Sequence, residues 1–265
     1  MQAAGRNAVE IRSLKISLGG RRVLDGVDLE VRHGETLVIL GASGSGKSTL
    51  LRCLVGLERP DAGSVRVNDV DIFGTDTGTL AALRERMGMA FQGGALFGSM
   101  TLAENIEVPL KEFTALPQST RRIIARIKLG MVDLAEAMDR LPAELSGGMR
   151  KRAALARAMT MDPEILFFDE PSAGLDPVTA AGIDRLLMRL KEVFHVTMVV
   201  VTHEMASAFA IADRLALMHG GRFLAVGTRS EVQECQDPIV RRFLDRQPPE
   251  PGNGSGSLSD LLEEE

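Results

Sequence analysis

The run Thr36-Leu37-Val38-Ile39-Leu40 passes directly into Gly41-Ala42-Ser43-Gly44-Ser45-Gly46-Lys47-Ser48, and helical-looking residues from Ser48 to Val55 follow. A strand without polar alternation suits a parallel sheet covered on both faces. The glycine-rich GxxxxGK[ST] pattern needs that strand before it and that helix after it. Strand, loop and helix in this order point the chain to an α/β core. The glycines let backbone N–H groups turn inward around phosphate oxygens, Lys47 adds a point charge, and the helix presents its positive end. Ser48 is spaced to place a hydroxyl on Mg²⁺. By itself the motif specifies a nucleotide phosphate and no more.

The remaining patterns extend the same architecture. Val27, Leu29 and Val31 alternate with Asp28 and Glu30, the period of a half-buried strand, in a first region that reads as short strands joined by turns. Ile165 to Phe168 and Val196 to Val201 are further buried strands. Between them Val178 to Phe194 has helical periodicity, with Ile183, Leu186, Leu187 and Leu190 on one side. Residues from about Thr101 to Met161 read as mostly helical, clearest over Arg121 to Leu134 and Gly148 to Met161, and form an expected helical lobe inserted into the core.

Four smaller signals carry chemistry. The strand Ile165 to Phe168 ends in Asp169-Glu170, which delivers two carboxylates to the sheet edge where open α/β folds bind ligands. Asp169 is expected to hold Mg²⁺, directly or through its water, and Glu170 to polarise an attacking water. His203 follows the strand Val196 to Thr202 and is expected at the same edge, facing the γ-phosphate. Gln92 follows the short apolar segment Met87 to Phe91, from which its amide could reach Mg²⁺ or the water. Finally, Leu145-Ser146-Gly147-Gly148-Met149 places a hydroxyl, free N–H groups and a positive helix end together at the start of the helix running to Met161. That makes a second phosphate reader, which either folds onto the first or meets it in another copy.

Composition removes several classes of partner. Lys and Arg number 31 and Asp and Glu 36, for a net charge of −5. Residues 247–265 hold Glu250, Asp260, Glu263, Glu264 and Glu265 without a basic residue, so the rest of the chain is neutral. A neutral body leaves no footprint for nonspecific nucleic-acid binding. Cys53 and Cys235 have neither metal-ligand spacing nor disulfide density, and buried packing in a reducing compartment suits them. No apolar run approaches the roughly 20 residues of a membrane span, and the start Met1 to Gly5 lacks a signal-peptide core. A membrane role would therefore need another subunit to span the bilayer.

Taken together, these residues resemble the ATP-binding cassette (ABC) ATPases over about residues 7–246. The Walker A loop (Gly41 to Ser48), Q-loop (Gln92), signature (Leu145 to Met149), Walker B (Ile165 to Glu170), D-loop (Ser172 to Asp176) and switch His203 occur in family order. The resemblance implies an α/β P-loop NTPase fold, an ABC-type nucleotide-binding domain with an antiparallel β subdomain and a helical subdomain at about 101–161. It implies ATP and Mg²⁺ as cofactors, with Gly41, Ala42, Ser43, Gly44, Ser45, Gly46, Lys47, Ser48 and Thr49 on the nucleotide. Ser48, Gln92 and Asp169 would serve the metal, and Glu170 and His203 catalysis. It also implies a homodimer in which Ser146, Gly147 and Gly148 contact ATP held by the other subunit's Lys47, with Asp176 linking the two sites.

Less general residues narrow the resemblance. Phe91 to Phe97, Glu104 to Leu110, the Met149 ending of the signature, and Arg152 to Ala158 resemble the ATPases of Mla-type phospholipid transporters. This implies a subunit on the cytoplasmic side of the inner membrane that moves phospholipids or related lipids to or from the outer membrane. Its partners would be transmembrane permease subunits, an MCE-domain lipid-binding protein and a STAS-domain accessory subunit, with no nucleic acid. The alternatives are the ATPase of an importer for a small solute such as an amino acid, a soluble ABC protein acting on nucleic acid or ribosomes, and a nonhydrolytic scaffold. The last two are disfavoured by the single cassette and the intact hydrolysis motifs.

Two departures stand out. The chain has no Tyr or Trp, and Leu18 occupies the position where many ABC ATPases stack adenine on an aromatic ring. The signature ends in Met149 where glutamine is commoner. Arg150-Lys151-Arg152 reads as a solvated helix face, and the scattered 13 methionines as core filling. The 247–265 tail reads as an acidic linker, either flexible throughout or ending in a docking peptide at Leu258, Leu261 and Leu262.

Overall fold

A computed structural model describes residues 7–247. The tail reading, apart from Gln247, lies outside the described residues. In chain order the elements are β1 (Asn7–Leu18), β2 (Arg21–Arg32), β3 (Thr36–Leu40), α1 (Lys47–Leu54), β4 (Ala62–Val67), β5 (Val70–Asp71), α2 (Thr77–Glu85) and β6 (Met87–Ala90). The helices α3 (Leu102–Phe113), α4 (Gln118–Met131) and α5 (Gly147–Ala158) follow. Then come β7 (Ile165–Asp169), α6 (Pro177–Phe194), β8 (Thr197–Thr202), α7 (Met205–Ile211), β9 (Arg214–His219), β10 (Arg222–Thr228), α8 (Arg229–Glu234) and α9 (Pro238–Leu244).

Two sheets result. The first is antiparallel with order β2-β1-β4-β5, and the second has order β10-β9-β3-β8-β7-β6. In the second sheet β9, β3, β8, β7 and β6 are parallel, and β10 closes one edge antiparallel to β9. The strands β1 and β2 are longer than the short strands read from the sequence, at 12 residues each. A bulge explains the difference: the register shifts between Ile11 and Leu14, and Ser13 takes a left-handed φ of 45°. The extra residue interrupts the apolar alternation without ending the pairing.

The unbroken apolar strands are now accounted for. On β3, Leu37 and Ile39 face a core shared with the antiparallel sheet and with Leu50, Leu51 and Leu54 of α1. Val38 and Leu40 point the other way, into a core made with the remaining helices. Both faces are covered, so Leu37 to Leu40 are apolar throughout, and the one polar residue of the strand, Thr36, stands at its start with its N–H donating to Asp213. Cys53 lies in the first core, where burial pushes its thiol pKa up to about 12. Met198 and Met218 are also buried, as their core-filling reading expects.

Residues 101–161 are mostly helical, as expected, but α4 and α5 end at Met131 and Ala158, about a turn before the expected Leu134 and Met161, and α4 begins earlier, at Gln118. After α4 the chain turns at Asp133 (φ 58°), and after α5 it turns at Asp162 (φ 49°). These helices share the core of the sheet: Leu102, Ile106, Ala125 and Leu129 belong to one cluster with Val38, Leu40 and Phe168. The alanine-rich end of α5 lies directly on β6. A Cβ added at Gly88 would stand 2.2 Å from the Ala158 carbonyl oxygen.

Candidate active site

Parallel register decides what meets at the sheet edge. Leu40 pairs with Thr202 and Asp169 with Val201, so the loop after β3, the acid pair after β7 and the histidine after β8 emerge side by side. The loop, Glu170, His203 and the first β hairpin line an open cavity of about 580 Å³.

The loop forms the floor. At Gly41 a Cβ would lie 2.3 Å from the Met218 carbonyl oxygen, so the chain leaves β3 too close to β9 for any side chain. Gly46 has φ 108° and opens α1 without a side-chain cap, which leaves the first N–H groups of the helix for another acceptor. Lys47 is buried, and its ammonium donates to the carbonyl oxygens of Gly41 (2.8 Å) and Ala42 (2.9 Å). Burial lowers its pKa, and the nearby Glu170 and Asp169 carboxylates oppose the shift. Ser45 carries a buried hydroxyl without a hydrogen-bond partner among the described residues.

Glu170 and His203 form the far wall, with Asp169 reached through Ser48. Ser48 Oγ donates to Asp169 Oδ1 across 3.2 Å. Burial raises the Asp169 pKa, offset by that hydroxyl and reinforced by Glu170. Glu170 is buried and has left-handed backbone, φ 52°. Its Oε2 accepts from Thr202 Oγ1 (3.1 Å) and the His203 N–H (3.4 Å), while Oε1 lies 2.7 Å from His203 Nδ1. Its own N–H donates to the Val201 carbonyl at 2.9 Å. The carboxylate is therefore fixed from several sides at the cavity wall.

The sequence-predicted residues divide into two groups. Ser43, Gly44, Gly46, Lys47, Ser48, Thr49, Gln92, Glu170 and His203 line one cavity. Asp169 joins them through Ser48, and Gly41 and Ala42 through Lys47. The signature residues lie elsewhere. Ser146 is exposed and caps α5, its Oγ accepting from the Met149 N–H at 3.3 Å, and neither it nor Gly147 or Gly148 lines the cavity. Gly148 is pressed on α6, where a Cβ would sit 2.6 Å from Thr179 Cγ2. Asp176 caps α6 by accepting from the N–H groups of Val178 and Thr179, both at 3.0 Å. Hydrogen bonds from Thr179 lower its pKa.

One expectation is corrected in part. Arg150-Lys151-Arg152 is a solvated face only in part: Arg150 is exposed while donating to the Leu145 carbonyl (2.6 Å), and the half-buried Arg152 reaches the Val132 carbonyl and Asp133. Lys151 is half-buried and donates to the carbonyl oxygens of Gln92 and, at 2.9 Å, of Glu170. Burial lowers its pKa against the pull of Glu170, Asp169 and Glu204. Leu18 is exposed and is not among the residues that line the cavity. The wall beyond the loop is made by Arg21, Arg22, Val23, Gly220 and Gly221, none of which the motif reading singled out. The only local signal was the tight Gly220-Gly221 turn, both residues having positive φ.

The site has the parts of a metal-assisted phosphate site. Ser48 and Asp169 supply adjacent hard oxygens, the donor type that suits Mg²⁺ shared with phosphates. No cluster of three or more His, Cys, Asp or Glu side chains able to hold a metal occurs among the described residues. A Mg²⁺ ion bound mainly through substrate phosphates needs no such cluster. Among the described residues no helix is long and apolar enough to cross a membrane.

Comparison with known proteins gives consistent relatives. A family model described as ABC transporter matches residues 24–173. The chain is 40% identical over 237 residues to the probable ribonucleotide transport ATP-binding protein mkl of Mycobacterium leprae, covering 89% of this chain and 68% of the relative. It is 38% identical over 239 residues to the intermembrane phospholipid transport system ATP-binding protein MlaF of Haemophilus influenzae, covering 90% of each. Among solved structures, the dimeric ATP-binding cassette MJ0796 in a post-hydrolysis state with ADP and Pi superposes with a TM-score of 0.76. It is 32% identical and covers 83% of this chain and 98% of that one.

Proposed function

The chain belongs to the ABC transporter family as its ATP-hydrolysing component, and from that premise we propose that it powers a transporter of phospholipids or related lipids between the inner and outer membranes. The lipid assignment is supported by 38% identity over nine tenths of both chains to an ATPase named for intermembrane phospholipid transport. Such an activity maintains lipid asymmetry. The subunit sits peripherally on the cytoplasmic face of the inner membrane and drives transmembrane permease subunits, with an MCE-domain lipid-binding protein and a STAS-domain subunit as further partners.

One observation carries the mechanism. The cavity gathers Lys47, Ser48, Glu170 and His203 yet leaves Ser146 and Gly148 outside it. Two copies facing head to tail bring each signature onto the ATP of the other, as suits a chain related to a dimeric cassette. The loop N–H groups from Ala42 to Thr49 and the Lys47 ammonium hold the phosphates, Lys47 exchanging the Gly41 and Ala42 carbonyls for them. Ser48, Asp169 and Gln92 would hold Mg²⁺, which when bound would supply positive charge to the phosphate oxygens. Glu170 takes a proton from the attacking water, and His203 orients the γ-phosphate from the same edge. Asp176 links the sites through the tight cap it gives to α6.

The test is purification of the chain with its native membrane partners, followed by mass spectrometry of bound molecules. Stoichiometric phospholipid is the expected result. A ribonucleotide or amino acid retained in its place would overturn the lipid assignment in favour of a small-solute importer.

A further inference from the structure

Lys151 belongs to none of the motifs, yet it joins three of them. It stands on α5, five residues after Ser146, so the two positions are separated by about 7.5 Å along one rigid helix. Its ammonium holds the Gln92 carbonyl and the Glu170 carbonyl at once. Glu170 is one of the few non-glycine residues with left-handed backbone, a conformation that persists only where its surroundings fix it. Its N–H is anchored to Val201 in the sheet, and its C=O accepts from the Lys151 ammonium at 2.9 Å and, at 3.3 Å, from the Ala173 N–H of the turn that follows. The shorter of the two bonds comes from α5, so the orientation of the peptide that follows the catalytic carboxylate is coupled to where α5 stands.

The start of α5 cannot shift independently of Lys151. Gly148 is wedged on Thr179, and the helix hydrogen bond from Arg150 N–H to the Ser146 carbonyl (3.0 Å) ties its first turn together. A small displacement at Ser146 when an anion docks there is therefore delivered to Lys151.

We propose that Lys151 is a positioning residue that transmits occupancy of the partner's nucleotide, read at Ser146 to Gly148, to Glu170 and Gln92 of its own chain. Hydrolysis at one site then depends on ATP at the other. This rests on the head-to-tail dimer proposed above. The ammonium suits the task because three rotatable donors follow two carbonyls through a small shift, where a carboxamide donor reaches fewer.

The test uses the full chain and measures ATPase rate against ATP concentration, binding of a fluorescent ATP analogue, and melting temperature. Lys151→Met should bind the analogue with affinity within about twofold of the parent, lose at least about fivefold in kcat, and show a Hill coefficient falling toward about one. Lys151→Arg should recover most of both. A Met variant that melts earlier but keeps the parental Hill coefficient assigns Lys151 a purely structural role and overturns the proposal, as does a parent that hydrolyses without cooperativity. If the Met variant does not fold, Lys151→Gln is held to the same outcomes. Ser146→Arg separates the two layers: cooperative hydrolysis surviving there removes the head-to-tail reading and the relay with it. Hydrolysis lost in Ser146→Arg while Lys151→Met keeps the parental cooperativity removes the relay alone.

Discussion

His203 Nδ1 lies 2.7 Å from Glu170 Oε1, joining the ends of two adjacent parallel strands across the mouth of the phosphate loop. The second carboxylate oxygen is held by the Thr202 hydroxyl. A general base must keep a fixed position and a free lone pair toward water, and this bracing supplies the first while the cavity supplies the second.

Glu170→Gln keeps the shape and removes the proton acceptor. The expected result is a loss of kcat on the order of 10² to 10⁴ with ATP still bound. Phosphate release measured alongside gel filtration in ATP should show slow turnover and an accumulating dimer. Near-normal hydrolysis would remove Glu170 from the role of base.

Ser146→Arg places a long cation where the helix start is exposed and outside the cavity of its own chain. ATP binding to the isolated chain should be unchanged, while dimerisation in ATP and hydrolysis are lost. Equilibrium binding compared with light scattering reads both, and an unaffected dimer would count against the trans contact.

Asp169 gives a pH test with a definite sign. Its raised pKa means that the folded chain favours the protonated form. That contribution to stability is present below the ordinary value of 3.8 and is gone once pH has risen through the raised one. At neutral pH the charged carboxylate is therefore a net cost to the nucleotide-free fold. Asp169→Asn should raise the melting temperature at pH 7 while abolishing Mg²⁺-dependent hydrolysis, and the stability difference should shrink as pH falls through the raised value. A destabilised Asn variant at pH 7 would contradict the burial argument.

Gly88→Ala tests the seat of α5. The new Cβ meets the Ala158 carbonyl at 2.2 Å and Leu166 Cδ2 at 2.6 Å, and the backbone contact cannot yield by a side-chain rotation. A loss of about 1 to 3 kcal/mol in chemical denaturation is expected from such overpacking. A change below a few tenths of that would show that β6 and α5 are separable.

Much of the site was legible because its residues are contiguous with their own supports. Lys47 and Ser48 follow five buried strand residues, and Asp169-Glu170 end another buried strand, so strand and site share one short window. Ser146 was legible as a helix start and is the cap of α5. Lys151 was not legible, since a lysine in a basic run on a helix has the same local pattern whether it meets water or two carbonyls. Its partners lie 59 and 19 residues away. Arg21 to Val23 were missed for a related reason: they enter the cavity because β10 follows β9 through Gly220-Gly221 and brings that turn against the first hairpin.

The sequence by itself determined the α/β class, the phosphate loop and the acidic strand end, because buried strands and glycine turns are dictated by residues next to one another. The tertiary structure decided which of those motifs share a cavity. Parallel pairing of β3, β8 and β7 aligns Lys47, Glu170 and His203, while the packing of α5 on β6 and α6 holds Ser146 away from them. Hydrogen bonds across such distances depend on strand order and helix seating, which no local spacing encodes. The sheet edge therefore gathers the loop, the glutamate and the histidine around one cavity and leaves the signature outside it.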